Sequence, residues 1–398
     1  MKRTALRWIA AASTLAVLGT IDAARRPRYG GDLRIEMRAA MRTLDPIEAP
    51  PEAALLTQAV FETLVRLDNR GDPQPSLAIS WMHDTARKCW VFTPRANVIL
   101  HNGIVWTPAP IEAPDDQPIE RILREMSRTR NAVVIRNADG SLTGTGPFKI
   151  AQWDAEKSAK LVAHDGYWGG RPYLDSIDVR MGRDLSDQNA DLQLSKADVV
   201  EGQIARRPSG APDEVIALEF DHRVPENVRE AVALSIDRAA IHKVILQGQG
   251  EVSGALLPRW LTGYSFLFPV DRNVARARQI AGSATLGFSY DVKDPMIKAV
   301  AQRIEVNVRE AGIVTRPAQG SPDVRLIRLL VASRDPWVAL EEIASILNAP
   351  SVAAASPYEW ERALLDGFRV VPIVHIAKAW ALSPRVKNWP RLADIWLE

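Results

Sequence analysis

Apolar residues along this chain recur at two spacings, and the two alternate through most of its length. Leu33 and Ile35 alternate with polar neighbours behind Gly30-Gly31, which predicts a strand after a turn. Leu56, Ala59, Val60 and Leu64 fall at helical spacing and predict a helix across 52–68. "NRGDPQPSLAISW" reads as a turn-rich connection, with strands at "KCWVFTP" and "NVILHNG". The Pro-rich, acidic "TPAPIEAPDDQP" (107–118) is expected to be irregular, and "IERILREM" after it to be a short amphipathic helix. "NAVVIRN" and "AKLVAH" read as strands, as does "SIDVRM", where Ile177, Val179 and Met181 alternate. Between the last two lies "DGYWGGRPYLD". Its Gly169-Gly170 supplies backbone freedom at positive φ, and Pro172 fixes the exit of the loop.

The second half is more regular. "EVIALEF" (214–220), "TLGFSYD" and "DVRLIRLLVAS" read as strands. "PENVREAVALSIDRAAIHKVIL" has the strongest helical pattern, with Asp237 marking a break. "PMIKAVAQRIEVNVREAG", "PWVALEEIASIL" and "SPYEWERALLDG" are helices, and "RVVPIVHIAKAWALSP" closes the chain as a strand pair. "ADLQLSKADVVEGQIARR" fits either spacing. Strands alternating with helices predict α/β lobes with largely parallel sheets. No internal repeat is present.

Composition changes this picture mainly at the N-terminus. The 398 residues, 46% hydrophobic and 25% charged, suit more than one domain or lobe. Lys2, Arg3 and Arg7 precede the apolar "WIAAASTLAVLGTI", and small residues follow, which is the pattern of a secretory signal over 1–23. Cleavage is expected after Ala23 or Ala24, although Ile21 or Asp22 then occupies a position where a small residue is preferred; the alternative is an uncleaved anchor. Loss of 1–23 takes three positive charges and one negative, so the formal +2 falls to zero. A neutral chain of mixed charge has no footprint for nucleic acid, and "RRPR" (25–28) and "ARR" (205–207) are too short to supply one. Cys89 is the single cysteine, so no internal disulfide forms. It is too far from the leader to be a lipoprotein cysteine and reads as a small buried thiol.

Reaction chemistry is not apparent. "TGTGPF" (143–148) offers Gly144 and Gly146, but Pro147 and a strand follow where a phosphate loop needs a helix. His-Glu-x-x-His and Gly-x-Ser-x-Gly are both missing, and the six histidines are scattered. Neither an enzyme nor a cofactor or metal site is expected. Aromatics are the richer signal. The chain has twelve Trp, and Trp106, Trp168, Trp260 and Trp337 fall where loops are expected. "PRWLTGYSFLFP" (258–269) adds Tyr264, Phe266 and Phe268 to Trp260, a density better suited to lining a ligand cleft than to facing water.

Read in order, "GGDLRIEMRAAMRTLDP", "AVFETLVRLDNRGDPQPSLAISW", "HNGIVWTPA", "GTGPFKIAQW", "DGYWGGRPYLDSIDVRM", "VREAVALSIDRAAI" and "VVPIVHIAKAWALSPRV" resemble the family 5 extracellular solute-binding proteins. This is the oligopeptide, dipeptide and nickel type that serves ABC importers. The resemblance implies an α/β, two-lobed periplasmic-binding-protein fold of type II, closing on ligand through crossing hinge strands. Those strands are expected near 217–221 and 370–374. Lobe one is then 24–221 plus 371–398, with a reduced extra subdomain around 51–143, and lobe two is 222–370. The Tyr-Trp-Gly-Gly segment is implied to be a structural turn.

The chain departs from the family in three places. The stretch between "HNGIVWTPA" and "GTGPFKI" is short and lacks the family's helix after Thr-Pro. The stretch before "EVIALEF" is compressed. Peptide binders also carry an acidic residue shortly before an Asp-Pro, where it meets the peptide ammonium. Here Asp335-Pro336 is kept, but that position falls on Ala332, with Arg334 close by. Arg334 suits a carboxylate or phosphate, so an anionic or neutral solute is expected over a free peptide N-terminus. The expected walls of the site are Trp260, Tyr264, Phe266 and Trp337, and the expected polar anchors are Arg334 and Glu48. The implied function is capture of a small solute, peptide-like or other organic, by a periplasmic monomer that delivers it to an ABC permease in the inner membrane. The alternative is a degenerate binding fold with a sensory or interaction role.

Overall fold

The computed structural model describes residues 26–68, 72–202, 212–267, 271–318, 320–331, 333–350, 352, 354–377 and 380–398. The expected leader, Arg206-Arg207, Phe268 and Ala332 lie outside them.

Two six-stranded sheets organise the chain. The first runs in the order Phe148–Asp154, Ser158–Ala163, Ser176–Arg180, Asp32–Glu36, Val199–Glu201, Trp380–Leu382. Strand periodicity gives it two unlike faces. Leu33 and Ile35 register with Ile177 and Val179, and these pack with Leu56, Val60, Phe61, Phe148 and Leu161 into a dry core. The intervening Arg34, Glu36, Asp178 and Arg180 share the opposite face, where Arg34 pairs with Asp198, Arg180 with Glu36 and Lys160 with Asp178. A cavity of about 270 Å³ lies on this charged face, lined by Arg34, Ile35, Glu36, Asp178, Arg180 and Lys196.

The second sheet runs Glu251–Val252, Val370–Ile376, Glu214–Phe220, Val324–Leu330, Thr285–Ser289, Val314–Pro317. It is covered on both sides, which explains the unbroken apolar run of its central strands. Ile216, Leu218 and Phe220 meet residues of helices Glu226–Ser235 and Pro295–Glu310. Val215 and Ala217 face the other way, toward helices Pro336–Ile346 and Pro357–Leu365. The long helical pattern breaks where expected: Asp237 caps a new turn by accepting from the Ala240 amide.

Several expectations are corrected. Only two of the five pairings in each sheet are parallel. The short turn 155–157 makes strands 148–154 and 158–163 antiparallel neighbours, the longer loop 164–175 returns the chain to an antiparallel 176–180, and the late strands 370–376 and 380–382 run against the direction of their neighbours. These last two do not pair with each other; they belong to different sheets. The segments 217–221 and 370–374, expected as crossings, lie almost wholly in second-sheet strands; the chain leaves the first sheet after Glu201 and enters the second at Glu214, then leaves the second after Ile376 and rejoins the first at Trp380. Residues 111–114 are not irregular but form an edge strand on Cys89–Pro94, and with Ala78–Asp84 and helix Ile119–Met126 they build a small separate core. Cys89 is buried there.

The first helix stops at Val60, well short of 68, because the glycine loop closes on its end. The Gly146 amide donates to the Val60 carbonyl at 3.0 Å, and a Cβ on Gly146 would sit 2.5 Å from the Ala59 carbonyl oxygen. The glycines of "TGTGPF" therefore serve close backbone approach.

The Tyr-Trp-Gly-Gly turn is explained in the same way. Tyr167 Oη and Trp168 Nε1 both donate to the Glu62 carboxylate at 2.9 Å, and the Arg95 guanidinium stacks on Trp168 at 3.8 Å. The turn thus fastens the strand connection to the end of the first helix. A Cβ on Gly169 would lie 2.7 Å from the Tyr167 ring. Gly169→Ala is expected to cost about 1–3 kcal/mol by overpacking, read as a lowered midpoint in thermal denaturation.

Candidate functional site

Helices Pro336–Ile346 and Pro357–Leu365 begin with a cap and a proline, Asp335-Pro336 and Ser356-Pro357. The Asp335 carboxylate accepts from the Trp337 and Val338 amides at 2.8 and 3.3 Å, which fixes where Arg334 and Trp337 leave the helix start. Against these two helix starts packs the short helix Arg259–Thr262, carrying Trp260, and the loop behind it, carrying Tyr264.

Of the six expected site residues, Arg334 and Trp260 touch each other, and Trp337 and Tyr264 each pack on helix Pro357–Leu365. The Arg334 guanidinium lies 4.3 Å over the Trp260 ring, and Trp260 Nε1 donates to the Pro212 carbonyl at 2.7 Å, beside the first passage between sheets. Trp337 packs at 5.9 Å on Trp360, and Tyr264 meets Tyr358 edge-on at 5.4 Å. Trp260 and Trp337 therefore belong to helix starts, not to open loops. Arg334 is half-buried, and no carboxylate lies within ion-pair distance of it among the described residues. An arginine stacked on an indole and lacking a counter-ion suits a ligand carboxylate or phosphate.

The other two stand apart. Phe266 is exposed. Glu48 is exposed on a turn of the first lobe, next to the Asp45–Arg136 ion pair. Among the described residues no hydrogen bond or ion pair joins Glu48 to the aromatic cluster.

The residue that sequence reasoning missed is Glu361. It is fully buried and accepts from the Leu256 amide, from the Leu257 amide at 2.8 Å and from Tyr264 Oη at 2.7 Å. One carboxylate thus fastens the loop that carries Trp260 and Tyr264 to helix Pro357–Leu365. A signal existed: Glu361 lies three and four residues before Leu364 and Leu365, so an acid interrupts an apolar stripe. Burial pushes its pKa up to about 7, against the pull of the three donors, and the Tyr264 hydroxyl is pushed up in turn by burial and by Glu361.

Glu361 gives the fold a pH dependence. A carboxyl whose folded pKa lies above its ordinary 4.5 favours the folded state most below 4.5, and that advantage is lost as pH rises toward 7. Glu361→Gln keeps an oxygen for the two amides and a donor for Tyr264 Oη but does not titrate. The stability difference between wild type and this variant is expected to change by about 2–3 kcal/mol between pH 5 and pH 8, with wild type losing ground as pH rises. Denaturant unfolding at several pH values checks it.

Two of the six histidines come together on one backbone carbonyl. His101 and His164 meet edge-on at 5.0 Å and both face the Gly146 carbonyl, at 3.0 and 3.1 Å. Burial pulls His101 down to about 4. Among the described residues no three His, Cys, Asp or Glu side chains are placed to hold a metal, and no helix is long and apolar enough to cross a membrane.

Comparison with known proteins gives this geometry a context. Residues 130–289 match the family described as bacterial extracellular solute-binding proteins, family 5 Middle. The dipeptide-binding protein of Escherichia coli K12 is 24% identical over 197 residues, 43% of this chain and 37% of that protein. The chain thus spans well under half the length of that relative. Solved structures extend the likeness to the whole fold. The oligopeptide-binding protein AppA of Bacillus subtilis, in complex with a nonapeptide, superposes with a TM-score of 0.77 over 94% of this chain and 100% of that one, at 13% identity. NikA of Staphylococcus aureus, in complex with Ni(L-His)2, gives 0.76 over 92% and 100%, at 15% identity. The architecture is the two-lobed, type II periplasmic-binding-protein fold. With its ordered motifs and this fold, the chain is similar to the bacterial extracellular solute-binding proteins, family 5, whose middle region residues 130–289 match.

Proposed function

We propose that this protein is the solute-binding component of an ABC importer, exported through its N-terminal signal, acting as a monomer and without catalysis. It captures a small anionic organic solute between its lobes and hands it to a permease in the inner membrane. The observation that carries this reading is the Arg334 guanidinium, stacked at 4.3 Å on Trp260 and without a carboxylate partner among the described residues. Trp337 and Tyr264 provide apolar walls beside it, and Glu361 holds the loop that presents Trp260. The relatives, which include a dipeptide-binding protein and a nonapeptide complex, support solute capture by this fold. Sheet membership supports lobes that divide between Glu201 and Glu214 and between Ile376 and Trp380, with the three-stranded sheet and helix Ile119–Met126 as a reduced subdomain on lobe one.

Native mass spectrometry of protein recovered from the periplasm tests this reading. A stoichiometric small molecule bearing a carboxylate or phosphate is the expected result. A bare protein mass that does not shift on adding periplasmic extract would overturn it.

A further inference from the structure

Charged side chains join the two sheet-centred lobes in two separate places. Just after the first strand, Arg38 reaches Asp291 at 2.7 Å and Asp294 at 2.9 Å, both in the turn that follows second-sheet strand Thr285–Ser289. In the same turn Lys293 reaches back to Asp184 at 3.3 Å. The second place is the reduced subdomain, where Arg128 lies 3.0 Å and Arg130 3.8 Å from Glu341, and Arg124 lies 3.8 Å from Asp335. Signs are sorted across the contact. Lobe one supplies Arg38, Arg124, Arg128 and Arg130, and lobe two supplies Asp291, Asp294, Asp335 and Glu341; Lys293 with Asp184 is the one reversed pair.

Not all of these are weak surface pairs. The Asp294 side chain is 1% exposed and the Arg128 side chain 11%, so both are shielded from solvent while the lobes touch. Separation of the lobes would take the Arg38 partner from Asp294 and the Glu341 partner from Arg128, and break every one of these cross-lobe pairs at once. An anionic face set against a cationic one also attracts over distances near the Debye length, which shrinks as salt is added.

We propose that these two contacts form an ionic latch that draws the lobes together, so that the balance between open and closed forms is set by ionic strength as well as by solute. The latch needs the two lobes but not the solute proposed above, and the two readings fail separately.

Spin labels at Lys157→Cys in lobe one and Val244→Cys in lobe two, both exposed positions, report the lobe separation in a Cys89→Ser background. The protein is refolded from denaturant to strip co-purified solute. At about 0.02 M salt the distance distribution is expected to hold one short population, with a longer one growing in at about 0.5 M. The double variant Asp291→Lys, Glu341→Lys is expected to populate the longer distance at both salts. A wild-type distribution that is the same at both salts would overturn the latch, whether or not the double variant folds.

Discussion

Asp294→Ala is expected to destabilise the protein by about 2–4 kcal/mol, because it takes a shared counter-ion from a partly buried arginine and a cap from a long helix. The Asp294 side chain is almost wholly shielded and serves four donors. Oδ1 accepts from the Met296 and Ile297 amides at 3.0 and 3.1 Å and so caps helix Pro295–Glu310. Oδ2 accepts from Arg38 at 2.9 Å and from Arg328 at 2.8 Å. The cap alone is worth about 1 kcal/mol. The rest comes from Arg328, which is partly buried and would keep Glu214 as its carboxylate partner among the described residues. A buried guanidinium left short of counter-charge costs far more than an exposed one. Asp294→Asn keeps an oxygen for the cap but loses the charge, so its loss should fall between wild type and alanine. Denaturant unfolding of the three proteins at one pH checks the order. Equal stability of Asp294→Ala and wild type would show that the network contributes nothing net.

The second large effect concerns the solute. Arg334→Ala is expected to weaken binding of the co-purified solute by about 30- to 1000-fold, the range for truncating one partner of a desolvated charge pair. Arg334→Lys should recover little of this, because an ammonium keeps the charge but neither the planar stack on Trp260 nor the forked donors. Titration calorimetry of wild type and both variants gives the three constants. The size of the loss separates a ligand anchor from a residue that only packs on Trp260, because loss of packing alone should lower the melting point and leave affinity nearly intact.

Some of this was legible in the sequence and some was not, for physical reasons. Leu33, Ile35, Ile177 and Val179 announced the core face of the first sheet because strand periodicity is local. Helix Ile119–Met126 and the break at Asp237 were equally local and were read to the residue. Pairing direction was not legible, since alternation says which face is buried but not which strand lies alongside. The end of the first helix at Val60 depends on Gly144 and Gly146, more than eighty residues away in sequence. Strand 111–114 was hidden by its prolines, which an edge strand tolerates. At the site, the types of Trp260, Tyr264, Arg334 and Trp337 pointed to ligand chemistry, but the loop that carries Trp260 and Tyr264 is held by Glu361, whose only local signal is an acid set within an apolar stripe. Glu48, expected as a polar anchor, sits on an exposed turn packed with the first sheet's lobe, away from the aromatic cluster.

The most direct test of solute capture at Arg334 is a crystal structure of the protein with its co-purified solute. Density is expected between the lobes, with an anionic group of the solute within hydrogen-bond distance of Arg334 and its apolar part against Trp260 or Trp337. A solute seated on the outer surface of either lobe, or one in the cleft with Arg334 still stacked and untouched, would contradict it.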